Sequence, residues 1–287
     1  MSVAAFHEEF ARVSRSFPCP VCGKQTWCIV HESGDYVVCQ RVESDKPYGK
    51  GGRAGWRHDL DDPVDAPPPS AAPINTLEDI RQAWCDSRDA ATPERLAPLA
   101  VQLGVKIGSL RSLGVGWNAE RSVYTLPMFD GCLNLTGLQF RAPDGFKYAM
   151  AGSRPGLFLP DCSLLFSPHW RTPDQLYVTE GASDCAAVLT LGGMAVGRQN
   201  AQHGLDELRQ LRVAIDAPSL RWVFVADNDD AGAEGARAVA AEFPGAVVIR
   251  PSRLKDARAV MMDGGTLIHM SWAAAGHPNK YWTPLDD

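Results

Sequence analysis

The chain has 287 residues, of which 45% are hydrophobic and 22% charged. That composition excludes a disordered, collagen-like or fibrous chain, and the length suits roughly two compact units of ~150 residues each. A formal net charge of -6 gives no global attraction to nucleic acid, so any such role must rest on local patches. No apolar run reaches the ~18 residues that a membrane span needs. The opening MSVAAFHEEF is acidic and lacks the apolar core of a secretion signal. The expectation is a soluble cytoplasmic protein with no membrane partner.

The first 60 residues hold half of the eight cysteines. Clustered cysteines in a cytoplasmic chain point to metal rather than to a disulfide framework. CPVCGK places Cys19 and Cys22 at knuckle spacing with Gly23 behind them. WCIVHESGDYVVCQ reads as a hairpin turning at Glu32-Ser33-Gly34-Asp35, which sets Val30 opposite Val37, Ile29 opposite Val38 and Cys28 opposite Cys39. Opposed Cβ atoms lie ~4.5–5.5 Å apart, a separation that two thiolates on one tetrahedral zinc accommodate. Cys19, Cys22, Cys28 and Cys39 are therefore the expected structural zinc ligands. His31 has the opposite parity and is held as a reserve ligand. The competing readings are four reduced core cysteines or a Cys28–Cys39 disulfide. Arg41, Lys46, Lys50, Arg53 and Arg57 follow, with Tyr48 and Trp56 among them. Basic residues mixed with aromatics suit single-strand contacts; the bland reading is a solvated loop with one packed Trp.

Residues 61–74 are rich in Pro and Ala and form an expected semi-rigid linker. Thr76 then reads as a helix N-cap with Glu78 and Asp79 in the first turn. Residues 120–150 alternate like short strands around the turn pairs Asp130-Gly131 and Asp144-Gly145. From Leu176 the rhythm is strand, helix, strand, helix: LYVT, Ala182–Leu191, Met194–Val196, Leu205–Val213, RWVFVA, Ala231–Phe243, AVVIR. Alternation of this kind predicts a mainly parallel sheet with helices on both faces, whose functional groups gather beyond the carboxyl ends of the strands.

Acidic residues stand at those ends. Glu180 closes the first strand and Asp184 lies one helical turn on. Asp227 and Asp229 close the second, spaced to share one side of an extended segment. Lys255 and Asp256 follow the third. Carboxylates gathered at one sheet edge repel unless cations sit between them, and magnesium or manganese is the hard ion that takes such oxygens. Paired metals of this kind serve phosphoryl transfer. The bland reading of any single member is a capping or surface carboxylate, and Asp230 is expected to be one.

Glu180-Gly181, Asp227-x-Asp229 and Lys255-Asp256, each after a strand, resemble the Toprim domain shared by DnaG-type primases, topoisomerases and some nucleases. The stretch SVYTLPMFDGCLNLTGLQFRAPDGFKYAMAG resembles the basic N-terminal subdomain of the DnaG-type core at Pro127, Asp130, Gly137, Arg141, Lys147 and Tyr148. The order zinc ribbon, basic subdomain, Toprim resembles these primases and the primase halves of phage and plasmid primase–helicases.

The resemblance implies a zinc ribbon over 1–60, the linker 61–74, a mixed α+β basic subdomain over 75–172, a Rossmann-like Toprim domain over 173–275 and a tail over 276–287. It implies a DNA primase that makes short RNA primers from ribonucleoside triphosphates on a single-stranded DNA template. The ribbon would help select the initiation site. Arg141 and Lys147 would lie near template or nucleotide phosphates, and Lys255 would neutralise a phosphate. Glu180 would be a metal ligand or general base, Asp227, Asp229 and Asp256 would hold magnesium or manganese, and Asp184 would support them. The sequence departs from the family in lacking a second Cys-x2-Cys and in placing Ala257 and Arg258 after Asp256, where further acids are usual. No GxxxxGK with Ser or Thr after it occurs, so a separate replicative helicase is the expected partner. The short stretch after Trp272 favours a phage, plasmid or other mobile-element primase. The alternatives are a Toprim nuclease and a non-catalytic single-strand binder or helicase-loading adaptor. A topoisomerase would need a tyrosine nucleophile, for which Tyr281 is a poor candidate.

Overall fold

The computed structural model describes residues 10–14, 16–25, 28–48, 55–65, 75–161, 174–199 and 203–285. Lys50, Arg53 and the Pro/Ala-rich run 66–74 lie outside these residues. The chain divides into two compact units, Met1–Ile74 and Asn75–Asp287.

The first unit is a four-stranded antiparallel sheet in chain order, β1 (Phe10–Arg12), β2 (Ile29–His31), β3 (Tyr36–Cys39) and β4 (Trp56–Asp59). Ile29 pairs with Val38 and Val30 with Val37, the register expected for the hairpin. The turn needs the positive φ of Gly34, whose Cα also lies against the Val64 backbone where a Cβ would collide. One face buries Val13, Val30, Val37, Cys19, Cys28 and Cys39. A core with three valines at its centre is too small to hold a module of this size by apolar burial alone.

The second unit opens with α1 (Leu77–Asp89), α2 (Pro93–Leu103) and α3 (Ile107–Ser112). Thr76 caps α1 as the sequence indicates: its hydroxyl accepts the Asp79 N–H while the Asp79 carboxylate accepts the Thr76 N–H. An antiparallel sheet follows, β5 (Gly116–Asn118), β6 (Val123–Phe129), β7 (Leu135–Arg141) and β8 (Lys147–Ala149), paired in that order. Asp130 shapes the β6–β7 turn by accepting the N–H groups of Cys132 and Asn134. A Cβ at Gly137 would come within 2.8 Å of the Arg154 carbonyl oxygen, so only glycine admits this close approach.

The remaining elements are β9 (Gln175–Glu180), α4 (Ala182–Thr190), β10 (Met194–Arg198), α5 (Leu205–Ile215), β11 (Arg221–Val225), α6 (Asp230–Ala240), β12 (Val247–Pro251), α7 (Ala257–Met262), α8 (Leu267–Ala274) and β13 (Trp282–Pro284). The sheet order is β10-β9-β11-β12-β13. The first four strands are parallel and β13 is antiparallel to β12. The stretch expected as a tail thus supplies an edge strand and the fully buried Trp282. Alternate residues of the parallel strands face opposite cores. Tyr177, Val223, Val225 and Ile249 pack with α4, α7 and α8; Leu176, Val178, Trp222, Phe224 and Val248 pack with α5 and α6. This is the mixed α/β architecture that the sequence implies, with the cysteine cluster on an antiparallel sheet and a mainly parallel sheet after it.

A short strap joins the two sheets of the second unit. Phe129 N–H donates to Leu157, and Phe158 N–H donates to Gly197. Ser109 on α3 also meets Thr190 on α4 at 2.9 Å. These bonds tie the end of β6 to β10 and α3 to the C-terminal end of α4. Among the described residues no helix is long and apolar enough to cross a membrane.

Candidate metal centre and catalytic rim

The knuckle turn, closed by Gly23 N–H on the Cys19 carbonyl at 2.8 Å, brings Cys19 and Cys22 to the pair offered by the hairpin. The four sulfurs of Cys19, Cys22, Cys28 and Cys39 all lie within 4.8 Å of one another. Cys28 is 3.7 Å from both Cys22 and Cys39. Ligands ~2.3 Å from a tetrahedral zinc stand ~3.8 Å apart, so the cage fits that ion. These cysteines are free, and a disulfide would need its sulfurs at ~2.05 Å. Backbone N–H groups of Gln40 and Val42 donate to the sulfurs of Cys28 and Cys39 at 3.5 and 3.4 Å, and Arg41 Nη1 donates to Cys28 at 3.6 Å. Such donors stabilise thiolates. Burial raises the Cys28 pKa to about 12, whereas at Cys22 the Lys24 N–H and the neighbouring cysteines outweigh burial and bring it to about 7.

His31 stands apart from the cage. Its ring stacks on Tyr36 at 4.6 Å and its Nδ1 meets the Ser33 hydroxyl at 2.7 Å, so the reserve ligand is engaged elsewhere. Phe10 packs edge-on against His31, Tyr36 and Tyr48. The Arg57 guanidinium lies over the Tyr36 ring at 3.8 Å. Asp59 pairs with both Lys46 and Arg57, so two of the basic residues already have a carboxylate partner. Trp56 is half-buried in β4.

In the second unit, β9, β11 and β12 are adjacent parallel strands, and their carboxyl ends deliver the predicted acids to one rim. Glu180 ends β9, and Gly181, with φ 87°, turns the chain into α4. Asp184 on α4 is 8% exposed. Asp227 is half-buried just past β11. Asn228 N–H donates to the Lys255 carbonyl at 2.8 Å, tying the loop after β11 to the loop after β12. Asp229 accepts the Gly232 N–H and caps α6, while Asp256, 6% exposed, accepts the Ala259 N–H and caps α7, both at 2.7 Å. The cap on α6 is therefore Asp229, and Asp230 is an exposed first-turn residue.

The acids sense one another. Burial, then repulsion from Glu180, Asp256 and Asp229, raises the Asp227 pKa to about 6. Burial, then repulsion from Asp256 and Asp227, raises the Asp184 pKa to about 7, against the Arg258 N–H that its carboxylate accepts at 2.9 Å. This surplus negative charge suits a divalent cation. Unlike the thiolate cage, the acids are not closed into a tight ligand set; among the described residues only the four cysteines are gathered that way.

A basic wall faces the acids. Arg141 ends β7 and pairs in register with Lys147 of β8. Arg141 is 9% exposed and its Nη2 donates to Gln102 at 3.4 Å. Burial, then the Arg258 charge, lowers its pKa. Lys147 is exposed as a residue, yet protein crowds its ammonium. That enclosure and the nearby Arg141, Arg258 and Lys255 lower its pKa against the pull of Asp184; exposure limits the extent. Tyr148 packs on Phe140 and Phe146.

Sequence reasoning missed two cations. Arg258 sits between Asp184 and Asp256, its Nη2 3.8 Å from Asp256. Arg198 closes β10 in register with Glu180 and is 3% exposed; a charge ending a buried strand beside an acid was the available signal. Tyr281 donates its hydroxyl to the Asp263 carbonyl at 3.0 Å, away from the rim groups.

No family model and no curated protein matches the chain. Solved structures do. An E. coli primase catalytic core aligns with a TM-score of 0.53 at 12% identity, covering 73% of this chain and 80% of that one. The chain has the fold of the DnaG primase catalytic core. A second DnaG catalytic core aligns at TM-score 0.52 and 13% identity, over 73% of this chain and 81% of that chain. A DnaG primase catalytic domain bound to single-stranded DNA aligns at 0.51 and 12%, over 68% and 76%. At these identities the likeness is to the DnaG fold, and the rim residues carry any statement about chemistry.

Proposed function

We propose that the chain is a DNA primase, a Toprim nucleotidyltransferase that builds short RNA primers from ribonucleoside triphosphates on single-stranded DNA. One observation carries this reading. On a DnaG-type fold, burial and then the charges of Glu180, Asp256 and Asp229, which come from the ends of three adjacent strands, raise the Asp227 pKa, opposite a wall containing Arg141 and Lys147. The basic wall suits anionic template and nucleotide.

Glu180, Asp227, Asp229 and Asp256 would hold magnesium or manganese, with Asp184 behind them. When bound, the ion neutralises phosphate charge and acidifies the attacking hydroxyl. The reaction joins a primer 3′ hydroxyl oxygen to an α-phosphorus and releases pyrophosphate. Glu180, half-buried at the strand end, would serve as a metal ligand or as the proton acceptor for the attacking hydroxyl. Asp227 and Asp256 are set by the loop-to-loop bond through Asn228 and by the α7 cap. Arg141, Lys147 and Lys255 attract phosphates. Zinc held by Cys19, Cys22, Cys28 and Cys39 would staple the first unit, whose half-buried Tyr48 and Trp56 would offer rings to the template. A separate replicative helicase and a phage, plasmid or other mobile element complete the reading.

Incorporation of labelled ribonucleotides on defined single-stranded templates, with magnesium and manganese tested separately, checks it. Asp227→Ala and Glu180→Ala should abolish synthesis in folded protein. Strand cleavage without incorporation would instead identify a nuclease, and salt-sensitive binding without either activity would identify an adaptor.

A further inference from the structure

Four thiolates around one zinc carry more negative charge than the ion cancels, so such a cage is stabilised by positive groups and N–H donors at its sulfurs. Cys19, Cys28 and Cys39 are at most 1% exposed. Cys22 is half-buried, so the cage opens to solvent on its side. Cys22 stands 3.7 Å from Cys28. After β3 the backbone folds back over the cage, and the N–H groups of Gln40 and Val42 reach Cys28 and Cys39. Arg41 lies between those two donors in the chain. Its Nη1 is 3.6 Å from Cys28 Sγ and 4.0 Å from Cys22 Sγ, across the edge that includes the half-buried sulfur. Lys46 and Arg57 of the same unit turn instead to Asp59.

We propose that Arg41 is a positioning residue of the metal centre, whose guanidinium closes the Cys22–Cys28 edge and slows the loss of zinc. This reassigns a residue whose place in a basic, aromatic stretch pointed to nucleic acid. A guanidinium is delocalised and weakly hydrated, so it lies against sulfurs at little cost, whereas an ammonium is a strongly hydrated point charge. Zinc loss to a chelator begins where a competing ligand displaces a thiolate. Cys22 is the sulfur that solvent reaches most readily, and Arg41 stands over its edge with Cys28. The proposal concerns retention of metal in the first unit and does not depend on nucleotidyl transfer in the second.

The test times zinc transfer to a chromogenic chelator from full-length wild type, Arg41→Met, Arg41→Lys and, as an equal change of charge elsewhere in the unit, Lys46→Gln. Circular dichroism confirms each fold. Release from Arg41→Met should be faster by about tenfold or more, with Arg41→Lys in between and Lys46→Gln like wild type. Because Arg41 is exposed, added salt should narrow the difference. Cobalt in place of zinc gives a second readout. Loss of the N–H donor raises the energy of the sulfur electrons, so the sulfur-to-cobalt charge-transfer band of Arg41→Met should move to longer wavelength. A residue that only steadies the fold would leave the band in place. Release and band both unchanged in folded Arg41→Met would overturn the proposal. A single-stranded oligonucleotide is titrated into the same proteins, and weakened binding there with unchanged zinc release would return Arg41 to the template and overturn its role at the metal.

Discussion

The Asp184 carboxylate, on α4, accepts the backbone N–H of Arg258, at the start of α7, at 2.9 Å. One buried acid thus joins the first strand's helix to the loop after β12, while its own charge is disfavoured there. Asp184 has a folded pKa of about 7, above its unfolded value of ~3.9. The folded chain therefore holds an extra proton between those values, and stability falls as pH rises through the interval. Asp184→Asn keeps the acceptor and removes the charge. We expect it to raise the stability of metal-free protein at pH 8 by on the order of 2–4 kcal/mol, with the gain vanishing near pH 4. Thermal midpoints of both proteins across that range check this, and a pH-independent difference would contradict it.

Divalent ion binding should be proton-linked. Asp227 has a pKa of about 6 without metal, and only its ionised form is a good ligand. Apparent manganese affinity should be flat above pH 7 and fall up to about tenfold per unit below pH 6. Calorimetric titration at pH 8 and pH 5.5 measures it. Asp227→Asn should weaken binding at pH 8 and flatten the dependence.

Removal of zinc should unfold the first unit and spare the second. The first unit has Val13, Val30 and Val37 as its main apolar core, whereas the second holds two large clusters. Cys39→Ser should lose stoichiometric zinc by elemental analysis and melt the β1–β4 sheet, seen as lost amide protection there. The parallel sheet should keep its protection.

Trp282 anchors β13 and is 1% exposed. Trp282→Ala leaves a cavity beside Ile249 and α8, and we expect a loss of about 3–5 kcal/mol in chemical denaturation. A loss under ~1 kcal/mol would mean that β13 is not a working part of the sheet.

The parallel sheet was legible because LYVT, WVFV and VVIR are buried runs separated by helix-length segments. The Cys28–Cys39 approach was legible because strand parity leaves little freedom once the turn is placed. β13 was not, since Trp282-Thr283-Pro284 has no alternation and becomes a strand only by pairing with β12. The capping role of Asp229 was hidden because α6 begins at Asp230, one residue before the expected start. Arg258 showed only as a missing acid; its backbone bond to Asp184 joins α7 to α4, segments that local pattern cannot relate.

The central claim is that Glu180, Asp227, Asp229 and Asp256 together receive a divalent ion. Anomalous diffraction from crystals equilibrated with manganese tests it most directly. The account predicts manganese within coordination distance of the Asp227 carboxylate and at least one other of the four. Manganese bound only elsewhere, with these carboxylates unliganded, would contradict it.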